Sequence, residues 1–141
     1  MSTQLSPYLN FRGQAREVAT FYQSVLGGDL QLMTFADMGG MGVPEEEQGR
    51  VMHSMLTVSE AVTVMVSDVP STMPGDFHPG VIALSGDASD TELLRGWFTG
   101  LSEGGEVHVP LEMAPWGDWF GQCADRYGVH WMVNIAGGAQ E

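Results

Sequence analysis

The sequence predicts an α+β protein built from two βαβββ modules in tandem, and three observations predict it. Residues 15–35, AREVATFYQSVLGGDLQLMTF, have a later echo in residues 91–111, TELLRGWFTGLSEGGEVHVPL. Each copy carries an aromatic pair in an amphipathic stretch: Phe21-Tyr22, then Trp97-Phe98. Each then stops at Gly-Gly-acid-aliphatic: Gly27-Gly28-Asp29-Leu30, then Gly104-Gly105-Glu106-Val107. Internal repetition of this kind marks a supersecondary unit that buries its apolar face only with the help of the rest of the chain. A ligand site is then expected between the copies, where concave surfaces meet.

Each element follows from local pattern. Residues 6–11, SPYLNF, alternate and read as a first strand. A helix over about 14–26 follows, with Val18, Phe21, Tyr22, Val25 and Leu26 at helical spacing, ended by Gly27-Gly28. Leu30–Phe35 alternates again. Residues 37–49, DMGGMGVPEEEQG, read as a flexible polar loop in which Glu45, Glu46 and Glu47 are solvated. Arg50–Val58 and Val62–Asp68 make a hairpin that turns at Ser59-Glu60-Ala61.

Residues 70–80, with three Pro and two Gly within 69–80, are the predicted linker between module one (about 5–69) and module two (about 81–136). The second copy repeats the order. Val81–Ser85 is a strand, Ser89 or Asp90 caps a helix of about 90–103, and Glu106–Met113 is the next strand. Trp119–Asp125 and Val129–Ile135 form the last hairpin, around Arg126-Tyr127-Gly128.

Composition narrows function by exclusion. With 43% hydrophobic and 16% charged residues, the 141-residue chain is globular and one domain in size. A net charge of −13 argues against nucleic acid or an anionic membrane as partner, since both need a cationic face. All five positive residues are Arg and there is no Lys, which removes Schiff-base chemistry and a Walker A loop. Cys123 is the only cysteine, so no internal disulfide forms. The start, MSTQLSPYLNF, shows neither a basic region nor an apolar run, and no stretch reaches membrane-spanning length. A cytoplasmic setting is expected.

The order of elements, together with Phe21-Tyr22-Gln23-Ser24-Val25-Leu26-Gly27-Gly28, resembles the vicinal oxygen chelate superfamily of glyoxalases, extradiol dioxygenases, and bleomycin and fosfomycin resistance proteins. Tyr8-Leu9-Asn10-Phe11, Trp116-Gly117, Phe120-Gly121 and Asp125-Arg126-Tyr127-Gly128-Val129-His130-Trp131 are similar to its PhnB-like branch. The resemblance covers about residues 6–136. It implies a curled mixed sheet with a ligand cup, helices on the outer face, and a homodimer. Sequences of this branch are often labelled ubiquinone-pathway methyltransferases, but no glycine-rich strand-turn-helix nucleotide loop supports methyl transfer here.

In catalytic members of the superfamily, His, Glu or Gln residues on four strands hold a divalent metal. The predicted register puts those four positions on Ser6, Val64, Val81 and Met132, a set unsuited to a hard or borderline ion. No cofactor is therefore expected. The fallback constellation is His53, Asp68 and His130, brought to one face if the first hairpin turns tightly. His-carboxylate pairs more often simply hydrogen-bond. His78, beside Pro79, and His108, on an edge strand, read as solvated.

Alternation places Trp119, Gly121 and Cys123 on the cup face with His130 and Met132, and Phe120, Ala124 and Trp131 under the helices. The expected pocket is thus His53, Met55, Trp116, Trp119, Cys123, His130 and Met132, with the Trp side chains supplying area and the Met side chains adaptability. Core or dimer packing is an equal alternative for the Trp residues. Cys123 would be a nucleophile only if a neighbour such as His130 lowered its pKa. The Asp125-Arg126 pair reads as a turn-fixing ion pair, with anion capture by Arg126 as the alternative.

Three readings of function remain. The first is binding of a small apolar or aromatic organic molecule without the family metal. The second is a metal-dependent lyase, isomerase or dioxygenase with a displaced site. The third is a purely structural dimer module.

Overall fold

The computed structural model describes residues 6–73 and 80–137. The chain divides into two compact units, Met1–His78 and Pro79–Glu141. In the first, the order is β1 (Tyr8–Phe11), α1 (Ala15–Leu26), β2 (Asp29–Thr34), β3 (Val51–Thr57) and β4 (Thr63–Asp68). In the second it is β5 (Val81–Gly86), α2 (Thr91–Ser102), β6 (Glu106–Met113), β7 (Trp119–Ala124) and β8 (His130–Ile135). The two sheets have matching orders, β1-β4-β3-β2 and β5-β8-β7-β6. The first strand of each pairs parallel with the last, and the other neighbours are antiparallel. Two βαβββ modules in a curled mixed sheet were the expectation; the structure has two mixed four-stranded sheets, with element ends displaced from the expected ones by two residues at most.

Each helix covers one face of its sheet. In α1 the buried set is Ala15, Val18, Ala19, Tyr22 and Leu26, a single stripe at three-to-four-residue spacing. It packs on β3 and β4, where Leu56, Val64 and Val66 are buried, as are Leu9 and Phe11 on β1. In α2 the stripe is Leu94, Trp97, Phe98 and Leu101, set against Cys123, Trp131, Val133 and Ile135.

The Gly-Gly repeat has a packing cause. A Cβ on Gly28 would run into the Thr57 carbonyl oxygen, and one on Gly105 into the Ala124 carbonyl oxygen. Both contacts occur where the chain leaves its helix and passes the end of the middle antiparallel strand. The repeated second glycine is therefore a point of backbone-on-backbone approach. Gly27, with φ +79° and nothing within 4 Å of its would-be Cβ, supplies only the left-handed turn.

A buried aspartate closes each module. The Asp68 carboxylate accepts from the backbone N–H of Gly13 (2.7 Å), Ala15 (3.0 Å) and Val51 (3.0 Å). It thereby caps α1, whose own N-cap residue Gln14 makes no side-chain cap. The Asp125 carboxylate accepts from the N–H of Tyr127 (2.9 Å) and Val129 (3.1 Å) and from the Trp131 indole N–H (2.9 Å). It fixes the β7–β8 turn and ties it to the core. Arg126 donates to the Glu103 carbonyl at the end of α2.

Two local expectations are corrected. The 37–49 segment is held, not loose: the Gln48 amide donates to the Gly40 and Val43 carbonyls. Glu47 is buried and accepts from the Ser71 N–H and hydroxyl, with Arg50 nearby at 3.8 Å. These bonds hold the Glu47 carboxyl below the usual glutamate range, Ser71 being the principal cause. Before α2 a 3₁₀ turn, Ala88–Asp90, intervenes, and Asp87 is the residue whose side chain accepts there, from the Ser89 N–H.

Candidate functional site

The face of each sheet turned away from its helix is the natural place for ligand chemistry. In module one the register decides which side chains stand there. Tyr8 lies opposite Met65, Asn10 opposite Ser67, Met55 opposite Met65, and Gln31 and Met33 opposite Met55 and His53. The open face is therefore Tyr8, Asn10, Gln31, Met33, His53, Met55, Met65 and Ser67, while Val64, Val66 and Asp68 point to the α1 side. A solvated sheet face is normally polar. This one carries three methionines and a tilted Tyr8–His53 ring pair with centroids 6.5 Å apart.

It also carries an unmet polar group. Ser67 is 2% exposed, and among the described residues its Oγ is the buried side-chain N or O atom without a hydrogen-bond partner. Such a group represents uncompensated desolvation of about 1–3 kcal/mol.

In module two, Gln122 lies opposite Met132, Phe120 opposite Asn134, and Ala124 opposite His130. Val81 and Ala83 stand beside His130 and Met132 on β5. The open face thus holds Phe120, Gln122, His130 and Met132. Trp116, 63% exposed, meets Phe120 edge-on at 5.5 Å. His108 reaches past the small Ala124 side chain to within 5.4 Å of the His130 ring centroid, and its Nε2 lies 3.2 Å from Glu106.

Seven sequence-based placements are corrected by this register: Trp119, Gly121 and Cys123 belong to the α2 side, Phe120 and Ala124 to the open face, and Val64 and Asp68 to the α1 side. Asp125 and Val129 close the last turn as a pair, so odd-numbered residues of β7 and β8 oppose one another and share a face. Trp119 and Cys123 consequently lie on the α2 side with Trp131, and Phe120 on the open face. Cys123 is fully buried, and burial, with Asp125 adding to it, pushes its thiol up to about 11. That is the opposite of an activated nucleophile. Val64 faces α1, so the open-face residue of β4 at that level is Met65. Asp68 is turned from His53 and its carboxylate is committed to three backbone N–H groups, which breaks the His53/Asp68/His130 fallback. His78 lies outside the described residues.

Of the expected pocket, His53, Met55, His130 and Met132 stand on open faces, the first two in module one and the others in module two. Tyr8, Met65, Ser67 and Phe120 are additions. The signal for them was available in strand parity, once each turn's closing pair is known. Of the expected donor positions Ser6, Val64, Val81 and Met132, Val64 points to the α1 side and so leaves the open face. Among the described residues no group of three or more His, Cys, Asp or Glu side chains is arranged to hold an ion.

A protein-family model described as 3-demethylubiquinone-9 3-methyltransferase matches residues 3–134. The chain belongs to that family, the PhnB-like branch of the vicinal oxygen chelate fold. The solved structure of protein PA1353 from Pseudomonas aeruginosa is 34% identical, with 96% of this chain and 98% of that one covered and a TM-score of 0.79. A PhnB protein from Bacillus cereus is 25% identical over 95% of this chain and 100% of its own, with a TM-score of 0.67. A member of the glyoxalase/bleomycin resistance protein/dioxygenase superfamily from Sphaerobacter thermophilus shares the fold. Its TM-score is 0.60 at 21% identity, over 96% and 98% of the two chains. No described helix of this PhnB-like chain is long and apolar enough to cross a membrane.

Proposed function

We propose that this PhnB-like protein binds a small, largely apolar or aromatic organic molecule on the open faces of its sheets, without the metal of the catalytic superfamily members. The observation that carries the reading is the open face of module one. Met33, Met55 and Met65 offer adaptable, polarizable surface, Tyr8 and His53 offer flat rings, and Ser67 supplies one hydroxyl still in need of a partner. Phe120, Trp116 and Met132 give module two a face of the same character. The family's descriptive name speaks of methyl transfer, but the β1–α1 and β5–α2 turns carry no glycine-rich nucleotide loop. Ligand capture is the reading that these residues support.

The test is a screen of neutral aromatic fragments, with 1-naphthol as reference, followed by fluorescence and thermal shift. Wild type should respond saturably, and Met65→Glu should lose the response while keeping its circular dichroism. Ser67→Ala should weaken ligands that carry an oxygen acceptor by about three- to tenfold, one hydrogen bond's net worth. Silence of the wild-type protein across the library, or an equal response from Met65→Glu, would remove this function.

A further inference from the structure

The side of module two that carries α2 holds a cavity apart from the open face. A groove of about 340 Å³ runs between α2 and β6. Its walls are apolar (Phe98, Val107, Pro110 and Leu111), Thr99 and Ser102 rim it, and Arg95 stands in it. The groove is a consequence of irregular pairing. The β6–β7 register shifts between Val107 and Val109 and again between Val109 and Glu112, so β6 bends along its length. Between those shifts Leu111 comes so close to β7 that a Cβ on Gly121 would lie 2.8 Å from the Leu111 Cα.

Arg95 is the informative side chain. Its guanidinium carbon sits 4.3 Å from the centroid of the Trp119 ring, a cation–π contact. Among the described residues Arg95 makes no side-chain hydrogen bond or ion pair, although the chain carries 18 carboxylate side chains and only five cations. By contrast, Arg12, Arg16, Arg50 and Arg126 each reach a backbone carbonyl or a carboxylate. A guanidinium held over an indole face by cation–π attraction still has N–H donors to offer, and a carboxylate matches that fork with two parallel bonds.

We propose that this groove binds a small amphipathic monocarboxylate. Arg95 takes the carboxylate in the plane of its fork, and the apolar part lies along Phe98, Val107 and Leu111. Charge and shape agree on this ligand class. A cation without an ion-pair partner among the described residues selects an anion from solution, and the volume suits a chain or single ring of modest size. A highly charged ligand such as a polyphosphate is disfavoured by the net charge of −13. The site does not depend on the open faces described above.

The experiment is an amide NMR titration with sodium decanoate, with 1-decanol as its neutral counterpart. Decanoate should move the amides of Phe98, Thr99 and Leu111 saturably and bind at least about tenfold more tightly than decanol, the worth of a charge-assisted pair. Arg95→Gln should bring decanoate down to the level of decanol, and Arg95→Lys should fall between. Thr99→Trp, on the exposed surface of α2, should fill the groove and abolish both. Equal binding of decanoate and decanol, unchanged affinity in Arg95→Gln, or no perturbation at all would overturn the proposal. Shifts confined to Met55, Met65 and Met132 would also overturn it, while leaving open-face binding intact.

Discussion

The two modules are copies in scaffold and opposites in the use of their buried aspartate. Both have twelve-residue helices, the same sheet order and a second glycine pressed against the end of the middle strand. Yet Asp68 reaches back more than fifty residues to cap α1, whereas Asp125 bonds within its own turn and to Trp131 six residues on. Module one thus locks a helix start to its last strand, and module two locks a hairpin to its core. The comparison teaches that the repeated residues hold the architecture, while the unrepeated ones set what each module can do. Met65 has its counterpart in Met132, but Ser67 and His53 have none of the same type in module two, and Arg95 on Trp119 has none in module one.

The largest effect expected from this comparison is loss of either aspartate. Asp68→Ala and Asp125→Ala each remove three hydrogen bonds, two of them buried, and should each cost about 3 kcal/mol in denaturant unfolding. The signatures should differ. Asp125→Ala should change Trp fluorescence, because it frees the Trp131 indole, and Asp68→Ala should raise amide exchange at the start of α1. Identical signatures would erase the distinction drawn between the modules.

Next come the glycines. Gly28→Ala and Gly105→Ala should each destabilise by about 2–3 kcal/mol, since both Cβ atoms meet backbone that cannot move aside. Gly27→Ala meets open space and should cost about 1 kcal/mol, for its left-handed φ alone. Similar costs at 27 and 28 would show that the repeat serves the turn and not the close approach.

A smaller effect separates the buried thiol from a reactive one. With its pKa at about 11 and no exposure, Cys123 should resist a thiol reagent at pH 8 in the native state and react only on unfolding. Rapid modification of the native protein would contradict the β7–β8 register. The smallest is a pH effect in module one. The Glu47 carboxyl is held below its ordinary value in the folded state. Its contribution is therefore complete above about pH 4.3 and lost as pH falls through the folded value. Glu47→Gln should flatten the acid limb of the stability curve; an unchanged limb would show that the Ser71 contact does not bear on folding.

The scaffold was legible in the sequence because periodicity and the Gly-Gly stops are local signals. Strand ends, both helices and the Ser59-Glu60-Ala61 turn follow from pattern alone. The faces were harder, because one residue of slip turns every side chain over. Trp119 and Cys123 were misplaced for that reason, and parity counted from the Asp125–Val129 pair puts them right. What sequence did not carry were long-range side-chain to backbone bonds. Nothing local announces that Asp68 caps a helix 53 residues earlier, or that Glu47 reaches Ser71. An acidic run therefore read as solvent, and a structural carboxylate entered the fallback metal constellation.

The most direct test of the central claim follows the methionine methyl groups by NMR while 1-naphthol, or the best neutral fragment from the screen, is added. Ten methionines report from across the chain, and Met55, Met65 and Met132 lie on the open faces. Saturable shifts of these three, with Met38 and Met73 unmoved, are the predicted result. Shifts elsewhere with these three unchanged would contradict ligand capture on the open faces.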